Sequence, residues 1–243
     1  MKRNSRHIFQ IILISLIFLG CMNIPMRAQE DNGDLELRGT YSLQKYITKY
    51  RFWLRNDVGI RRTFDNDPYR MFLIRPRAII ELGSIVDFHA AIDFRFKNYS
   101  FSANTFELRT WEGLSLHWPD VGRVRFDHFY RFEQRFHWID GVKQEEISLR
   151  SRYRLNMRIP INNRSLLDKT YYVDVRGEVF LPHDDGIEEY FASRMQFGTI
   201  LGYRLNLKWR FMLAGYFQTG WNEEEDERAV DHYIIEASFR TSF

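Results

Sequence analysis

The chain has 243 residues, of which 44% are apolar and 28% charged, and its formal net charge is +3. This length suits one large all-β domain or one to two smaller domains. Beyond the N-terminal segment no run of about eighteen apolar residues occurs, which excludes a bundle of membrane-spanning helices.

The first 28 residues have the pattern of a secretory signal peptide. A basic start precedes an apolar run, formed by Lys2, Arg3, Arg6 and residues 8–19. Cleavage is expected after Ala28, which follows the stretch PMR. Lipoprotein processing at Cys21, in the stretch IFLGC, is the alternative.

Removal of residues 1–28 changes which chemistries remain open. The segment contains four cationic residues and no acidic one, so its loss takes the formal charge from +3 to −1. The mature chain then has no cysteine and no clustered basic face. Thiol chemistry, cysteine-based metal sites and nucleic-acid binding are therefore not predicted.

Residues 29–49 form a polar N-terminal segment in this interpretation. The stretch EDNGDLELRGT is expected to be flexible. The stretch YSLQKYITKY that follows predicts a short helix, a plug-like segment or an early extension of the first strand.

From residue 50 onward the sequence alternates apolar and polar residues, the pattern of β-strands. In 85–97, for example, Phe88 and Ile92 fall on one face and His89 and Asp93 on the other. Ten strands are predicted, at about 50–61, 71–82, 85–97, 106–118, 123–135, 147–159, 170–180, 191–205, 207–219 and 232–243.

The charged rows decide between a soluble sandwich and a membrane barrel. In 148–160, SLRSRYRLNMRIP, four arginines occupy alternate positions. Arginine facing lipid near the midplane costs about 2–4 kcal/mol, so this row must face a lumen if the strand crosses a membrane. The strands have the length that a tilted membrane strand needs, and the last one ends in Phe243, as outer-membrane barrels do. We therefore predict one all-β domain over 50–243, an antiparallel up-and-down transmembrane barrel of about ten strands.

Connection lengths predict the orientation of this barrel. Short turns alternate with longer connections, and the loops 137–146, 181–190 and 220–231 carry an excess of acid. Short inner turns and longer outer loops are typical of outer-membrane barrels. Both termini are expected on the inner side.

A cluster of ion pairs is predicted inside the lumen. Its members are Arg123, Arg125, Asp127, Arg131, Glu133, Arg135, Arg150, Arg152, Arg154, Asp174, Arg176 and Glu178. Arginine and carboxylate can pair through two parallel hydrogen bonds. This cluster predicts a lumen packed with structural ion pairs, and a narrow anion-favouring pore is the alternative.

Several stretches resemble a known family of barrels. FDHFYRFEQRF (126–136), GEVF (177–180), SRMQFGTILGYRLN (193–206) and AGYFQ (214–218) occur in that order. Together they resemble the uncharacterised family catalogued as domain of unknown function 2490. The resemblance implies an outer-membrane-like barrel and supplies no activity or catalytic residue.

No catalytic residue, metal site or cofactor is predicted. Rim candidates for an outer-membrane protease or lipase are His183, Asp184 and Asp185. A secreted soluble ligand-binding barrel is a further alternative. On the apolar face, Glu112 breaks the pattern, and Gly113 beside it predicts a β-bulge that would turn Glu112 inward.

The predicted partners follow from this location in the outer membrane. They are outer-membrane lipid and, through the terminal Phe243, the barrel-assembly machinery. The sequence leaves the oligomeric state open.

Overall fold

The computed structural model describes residues 34–47, 51–64, 67–141, 146–183, 194–222 and 227–243. These residues form eleven β-strands. The strands are β1 (Asp34–Ile47), β2 (Phe52–Phe64), β3 (Tyr69–Glu81), β4 (Val86–Tyr99), β5 (Thr105–His117), β6 (Arg125–Ile139), β7 (Glu146–Pro160), β8 (Thr170–Pro182), β9 (Met195–Arg204), β10 (Trp209–Asn222) and β11 (Glu227–Ser242). The described residues include no helix long and apolar enough to cross a membrane.

The strands form a closed barrel in which each strand pairs with its neighbours in the chain. All consecutive pairs are antiparallel, which confirms the all-β up-and-down fold. The pair of strands that closes the barrel differs from the others. Here β1 pairs with β11 in parallel, with Leu35 opposite Tyr233 and Leu43 opposite Thr241. An odd number of strands in a meander requires one parallel pair at the seam.

Residues 34–47 correct the predicted strand count. They form β1, so the barrel begins before residue 50 and has eleven strands. The alternation was present in the sequence. Leu35, Leu37 and Leu43 point outward, whereas Glu36 and Ser42 are buried.

The parallel seam also overturns the prediction that both termini lie on one side. Asp34 enters β1 at one end of the barrel. Phe243 lies at the other end, where its backbone N–H donates to the carbonyl oxygen of Gln44 at 3.0 Å. An even-stranded meander would have returned the chain to its starting side.

The two ends of the barrel are named here by their connections. The loop rim carries connections 65–68, 100–104, 140–145, 183–194 and 223–226, and the turn rim carries 48–51, 82–85, 118–124, 161–169 and 205–208. The longest interval between consecutive strands separates β8 from β9, and the facing ends of these two strands lie at the loop rim. Strand pairing extends further toward this rim than predicted, so that Gly220 pairs with Ala229 inside the predicted loop 220–231.

Two connections of the loop rim are tied together by Asp67. The backbone N–H of Phe101 donates to its carboxylate at 3.0 Å. A hydrogen bond from Ser102, together with backbone N–H groups, holds the pKa of Asp67 below its usual value.

Burial alternates along the strands and separates the two faces of the wall. In β4, His89, Asp93 and Arg95 are buried, whereas Ile92 and Phe96 are exposed. The polar row faces the lumen and the apolar row faces outward, as the arginine argument predicted. This is the reverse of a soluble sandwich, in which apolar rows meet in the core.

The predicted bulge at Gly113 is wrong. Pairing through β5 keeps one register on both sides, and Glu112 is exposed on the outward face. Gly113 serves packing instead, because a Cβ there would meet the backbone oxygen of Tyr130 and the ring of Phe129. The register shift that does occur lies in β10, between Gln218 and Thr219.

Candidate functional site

The lumen holds the largest concentration of charge in the described structure, and its centre is Glu133 on β6. This carboxylate is fully buried. Arg109 and Arg150 donate to its Oε2 atom at 2.9 and 2.6 Å. Arg152 donates to Oε1 at 3.1 Å, and Arg131 forms a fourth ion pair there. Four guanidinium groups therefore converge on one carboxylate.

Two arginines extend this network to other carboxylates. Arg109 also donates to Glu107 through its Nε atom at 2.8 Å. Arg152 reaches Glu178 through Nη2 at 3.1 Å. Glu107 in turn accepts from Nε of Arg135 at 3.0 Å. Since each bridging arginine fixes two carboxylates on different strands, the network ties the neighbouring strands β5, β6, β7 and β8 together along the lumen side of the wall.

A second group of ion pairs continues around β2, β3 and β4. Asp93 is fully buried and accepts two hydrogen bonds from Arg75, at 2.7 and 2.9 Å. Arg95 donates to the same carboxylate at 2.9 Å. Asp57 pairs with Arg55 at 2.7 Å and with Arg77 at 3.3 Å.

We call these two groups the arginine belt. Its members are Arg55, Arg75, Arg77, Arg95, Arg109, Arg131, Arg135, Arg150, Arg152, Asp57, Asp93, Glu107, Glu133 and Glu178. Nine arginines face five carboxylates, which leaves the belt with a formal charge of +4.

Aromatic rings fill the space between these ion pairs. Arg131 and Arg77 lie over the ring of Trp111, at 4.6 and 4.9 Å from its centroid. The indole N–H of Trp111 donates to Asp93 at 2.9 Å. Arg152 lies 4.2 Å from the ring centroid of Phe180. Arginines outnumber carboxylates in the belt, and cation–π contacts of this kind stabilise the guanidinium groups.

The described lumen is also packed by tyrosine rings over the glycines of β9. A Cβ on Gly202 would collide with the ring of Tyr172, and one on Gly198 would collide with Tyr216. Both tyrosines are buried. Arg176 donates to the hydroxyl oxygen of Tyr216 at 3.0 Å.

Most of the predicted cluster lies in the lumen, although its outer members do not. Arg125 is exposed at the turn rim and pairs with Asp120, and Arg123 donates to a backbone oxygen at 3.5 Å. Both residues sit where β6 begins, beyond the region in which a charge must face inward. Asp127 is held by His117 at 2.6 Å, outside the belt.

The other predicted residues have partners of their own. Asp174 forms two hydrogen bonds with Arg158, at 2.7 and 2.8 Å. Arg154 lies 4.8 Å from the ring centroid of Phe129. Sequence reasoning did not include Arg75, Arg109 or Trp111 in the cluster, although their alternation in β3 and β5 is the same signal.

The outward wall carries a polar contact that sequence reasoning missed. Ser151 is buried on this face, and its Oγ atom lies 2.7 Å from Nε2 of His183 and 2.8 Å from the hydroxyl oxygen of Tyr130. Only strand register brings Ser151 and His183 together, since they are 32 positions apart. The other rim candidates, Asp184 and Asp185, lie outside the described residues. No group of three or more potential metal ligands occurs among the described residues.

A family model described as "Protein of unknown function (DUF2490)" matches residues 37–229. The chain belongs to the DUF2490 family. No curated protein and no solved structure matches it. The matched range contains every member of the arginine belt, so the DUF2490 region of this chain is the barrel wall together with its ion-paired interior.

Proposed function

We propose that this DUF2490 chain is an outer-membrane barrel whose lumen is closed by the arginine belt, and that its role is structural or binding rather than transport. One observation carries the proposal, namely that the wall is apolar outside and ionic inside. Ile60, Leu201 and Leu213 are 64%, 57% and 54% exposed on the outward face, whereas Asp93 and Glu133 are 0% exposed in the lumen. Lipid offsets the exposure of such an outward face, whereas water does not.

An exposed aromatic ring at the turn rim is a second element of the proposal. Phe243 is 66% exposed at the turn rim, and its backbone is hydrogen-bonded into the seam. We infer that this free aromatic ring is the element that the barrel-assembly machinery binds. With the turn rim on the inner side, the loop rim faces outside the cell.

Conductance in a planar bilayer tests whether the lumen is closed. We expect the wild-type barrel to be silent. Replacing Arg150 and Arg152 with Ala removes two of the four cations on Glu133 and should open a water path that gives resolvable current steps. The matched control is Arg62→Ala with Arg70→Ala, because these two arginines lie on the outward face and should leave the barrel silent. Anion-selective steps in the wild type would contradict closure and establish the narrow pore.

A second candidate function is hydrolysis at the lipid boundary, favoured by the contact between Ser151 and His183. A serine hydroxyl beside an imidazole is the minimal arrangement for nucleophilic catalysis. Purified barrel in detergent would then release fatty acid from phospholipid, and Ser151→Ala would abolish the release. Tyr130→Phe keeps both groups and serves as the control. Equal turnover by wild type and Ser151→Ala would contradict this function.

A further inference from the structure

The outward wall near the loop rim contains a depression of about 1060 Å³ across β1 to β6. Its lining is mainly apolar and includes Leu37, Ile60, Phe72, Phe96, Phe106 and Trp138. Five of these residues are successive cross-strand partners, from Ile60 through Phe72, Phe96 and Phe106 to Trp138. They form one continuous apolar row.

Gly39 and ring stacking shape this row. Gly39 is the next member of the row, opposite Ile60, whose side chain packs over it, since a Cβ on Gly39 would lie 3.3 Å from Cγ1 of Ile60. The rings of Phe96 and Phe106 lie 4.8 Å apart, and those of Phe106 and Trp138 lie 5.3 Å apart. Aromatic residues in this position are typical of the level of a membrane where headgroups meet hydrocarbon.

Two arginines border the row on the side of the loop rim. Arg62 and Arg70 are direct cross-strand partners on the outward face, and both line the depression. Like charges directly opposite each other destabilise a sheet unless an anion compensates them. Among the strand residues whose side chains the structure describes, the only other formal charges on the outward face are Lys45 and Glu112. Two of the four are therefore placed side by side.

No described carboxylate compensates this pair. Arg62 lies over the ring of Phe64 at 4.9 Å, and neither arginine forms an ion pair with a described residue. Asp67, in the connection between their strands, is engaged by the connection after β4. Asp140 also lines the depression, but it lies beyond Trp138 at the far end, three strands from Arg70 and roughly 14 Å away at about 4.8 Å per strand.

We propose that this depression binds a membrane lipid through its headgroup phosphate. Arg62 and Arg70 hold the phosphate oxygens, and an acyl chain lies along the row from Ile60 to Trp138. Guanidinium groups bind phosphate through paired charge-assisted hydrogen bonds, and basic pockets on membrane proteins select phosphorylated headgroups. The lipid explains both parts of the site, because the row is apolar and its rimward edge is cationic. This inference rests on the membrane location proposed above.

Native mass spectrometry of the full chain in detergent tests the site. The probes are phosphatidic acid, diacylglycerol and inorganic phosphate. We expect phosphatidic acid to bind, and Arg62→Gln with Arg70→Gln to weaken its binding by about tenfold or more, since both charge-assisted hydrogen-bond donors to the phosphate are lost. Lys45→Gln removes an outward cation near the turn rim, away from the depression, and should leave binding unchanged.

Unchanged binding of phosphatidic acid by the double variant would overturn the proposal, and so would four other outcomes. Diacylglycerol binding as tightly as phosphatidic acid would show that the phosphate is not recognised. Inorganic phosphate binding equally well would make the ligand free phosphate, and a dimer mass lost in the double variant would make it a second copy of the chain. An equal loss of affinity in Lys45→Gln would make the effect one of net charge.

Flotation separates failure of the site from failure of the membrane location. Wild type and double variant should both float with vesicles of phosphatidylcholine. If both float and the double variant keeps its affinity for phosphatidic acid, only the lipid site is contradicted. If neither floats, the membrane location itself fails.

Discussion

Glu133 is the residue on which most charge in the described lumen converges. Its carboxylate has four arginine partners and no exposure to solvent. A buried charge that loses its partner is strongly destabilising. The stability of the barrel should therefore depend on this single carboxylate more than on any one of the arginines around it.

Replacing Glu133 with Gln tests this dependence. The change preserves volume but leaves Arg109, Arg131, Arg150 and Arg152 without their shared anion, so we expect a loss of about 3–5 kcal/mol. Chemical unfolding in detergent, followed by circular dichroism, measures it. Glu112→Gln is the matched control, because Glu112 is an exposed outward glutamate on the neighbouring strand. A similar loss in both variants would contradict the role of Glu133.

The glycines of β9 and β10 give a second prediction at the scale of residues. Gly202→Ala places a methyl group against the ring of Tyr172, whereas a Cβ on Gly215 meets nothing within 4 Å. Overpacking of this kind costs about 1–3 kcal/mol. We expect Gly202→Ala to lower the midpoint of thermal unfolding and Gly215→Ala to leave it unchanged. An unchanged midpoint for Gly202→Ala would show that Tyr172 moves aside without cost.

For single residues, the alternation of apolar and polar positions predicted which face of the wall a side chain occupies better than it predicted which residues that side chain contacts. It placed Arg131, Glu133, Arg135, Arg150 and Arg152 in the lumen, because a charge in a membrane strand has only one inexpensive side. It did not predict that Glu133 would be the centre, since that follows from strand register. The contact between Ser151 and His183 depends on register in the same way.

At the scale of elements, β1 decides how the barrel closes. Its parallel pairing with β11 sets the number of strands to eleven and places Asp34 and Phe243 at opposite rims. The sequence of β1 alternates like the others, but Gly39 and the polar start of the segment concealed the strand. Sequence alone predicts individual strands well and closure poorly, because closure depends on which edges meet.

Cysteine cross-linking distinguishes the parallel seam from an antiparallel one. In chains without Cys21, the pairs Leu35→Cys with Tyr233→Cys and Leu43→Cys with Thr241→Cys should cross-link with a short bifunctional reagent. The exchanged pairs, Leu35→Cys with Thr241→Cys and Leu43→Cys with Tyr233→Cys, are the controls and should not react. Efficient reaction of the exchanged pairs would contradict the parallel seam.

For the whole molecule, we propose that one wall separates hydrocarbon from an ionic interior. The belt has a formal charge of +4, so any water path through it would favour anions. The density of ion pairs and rings around Glu133 argues for a closed lumen instead. Composition and alternation predicted this division between faces. They did not predict whether the lumen is closed or open, because that depends on how far side chains fill the lumen.

Quenching by brominated lipid tests the division of faces most directly. Leu213 is 54% exposed on the outward face of β10, and Ala214 beside it is 5% exposed in the lumen. A small fluorophore on Leu213→Cys, in vesicles of brominated phosphatidylcholine, should be strongly quenched, and the same label on Ala214→Cys should not. If neither label responds to the lipid and iodide in the buffer quenches the one on Leu213→Cys, the outward wall faces water and the account is wrong.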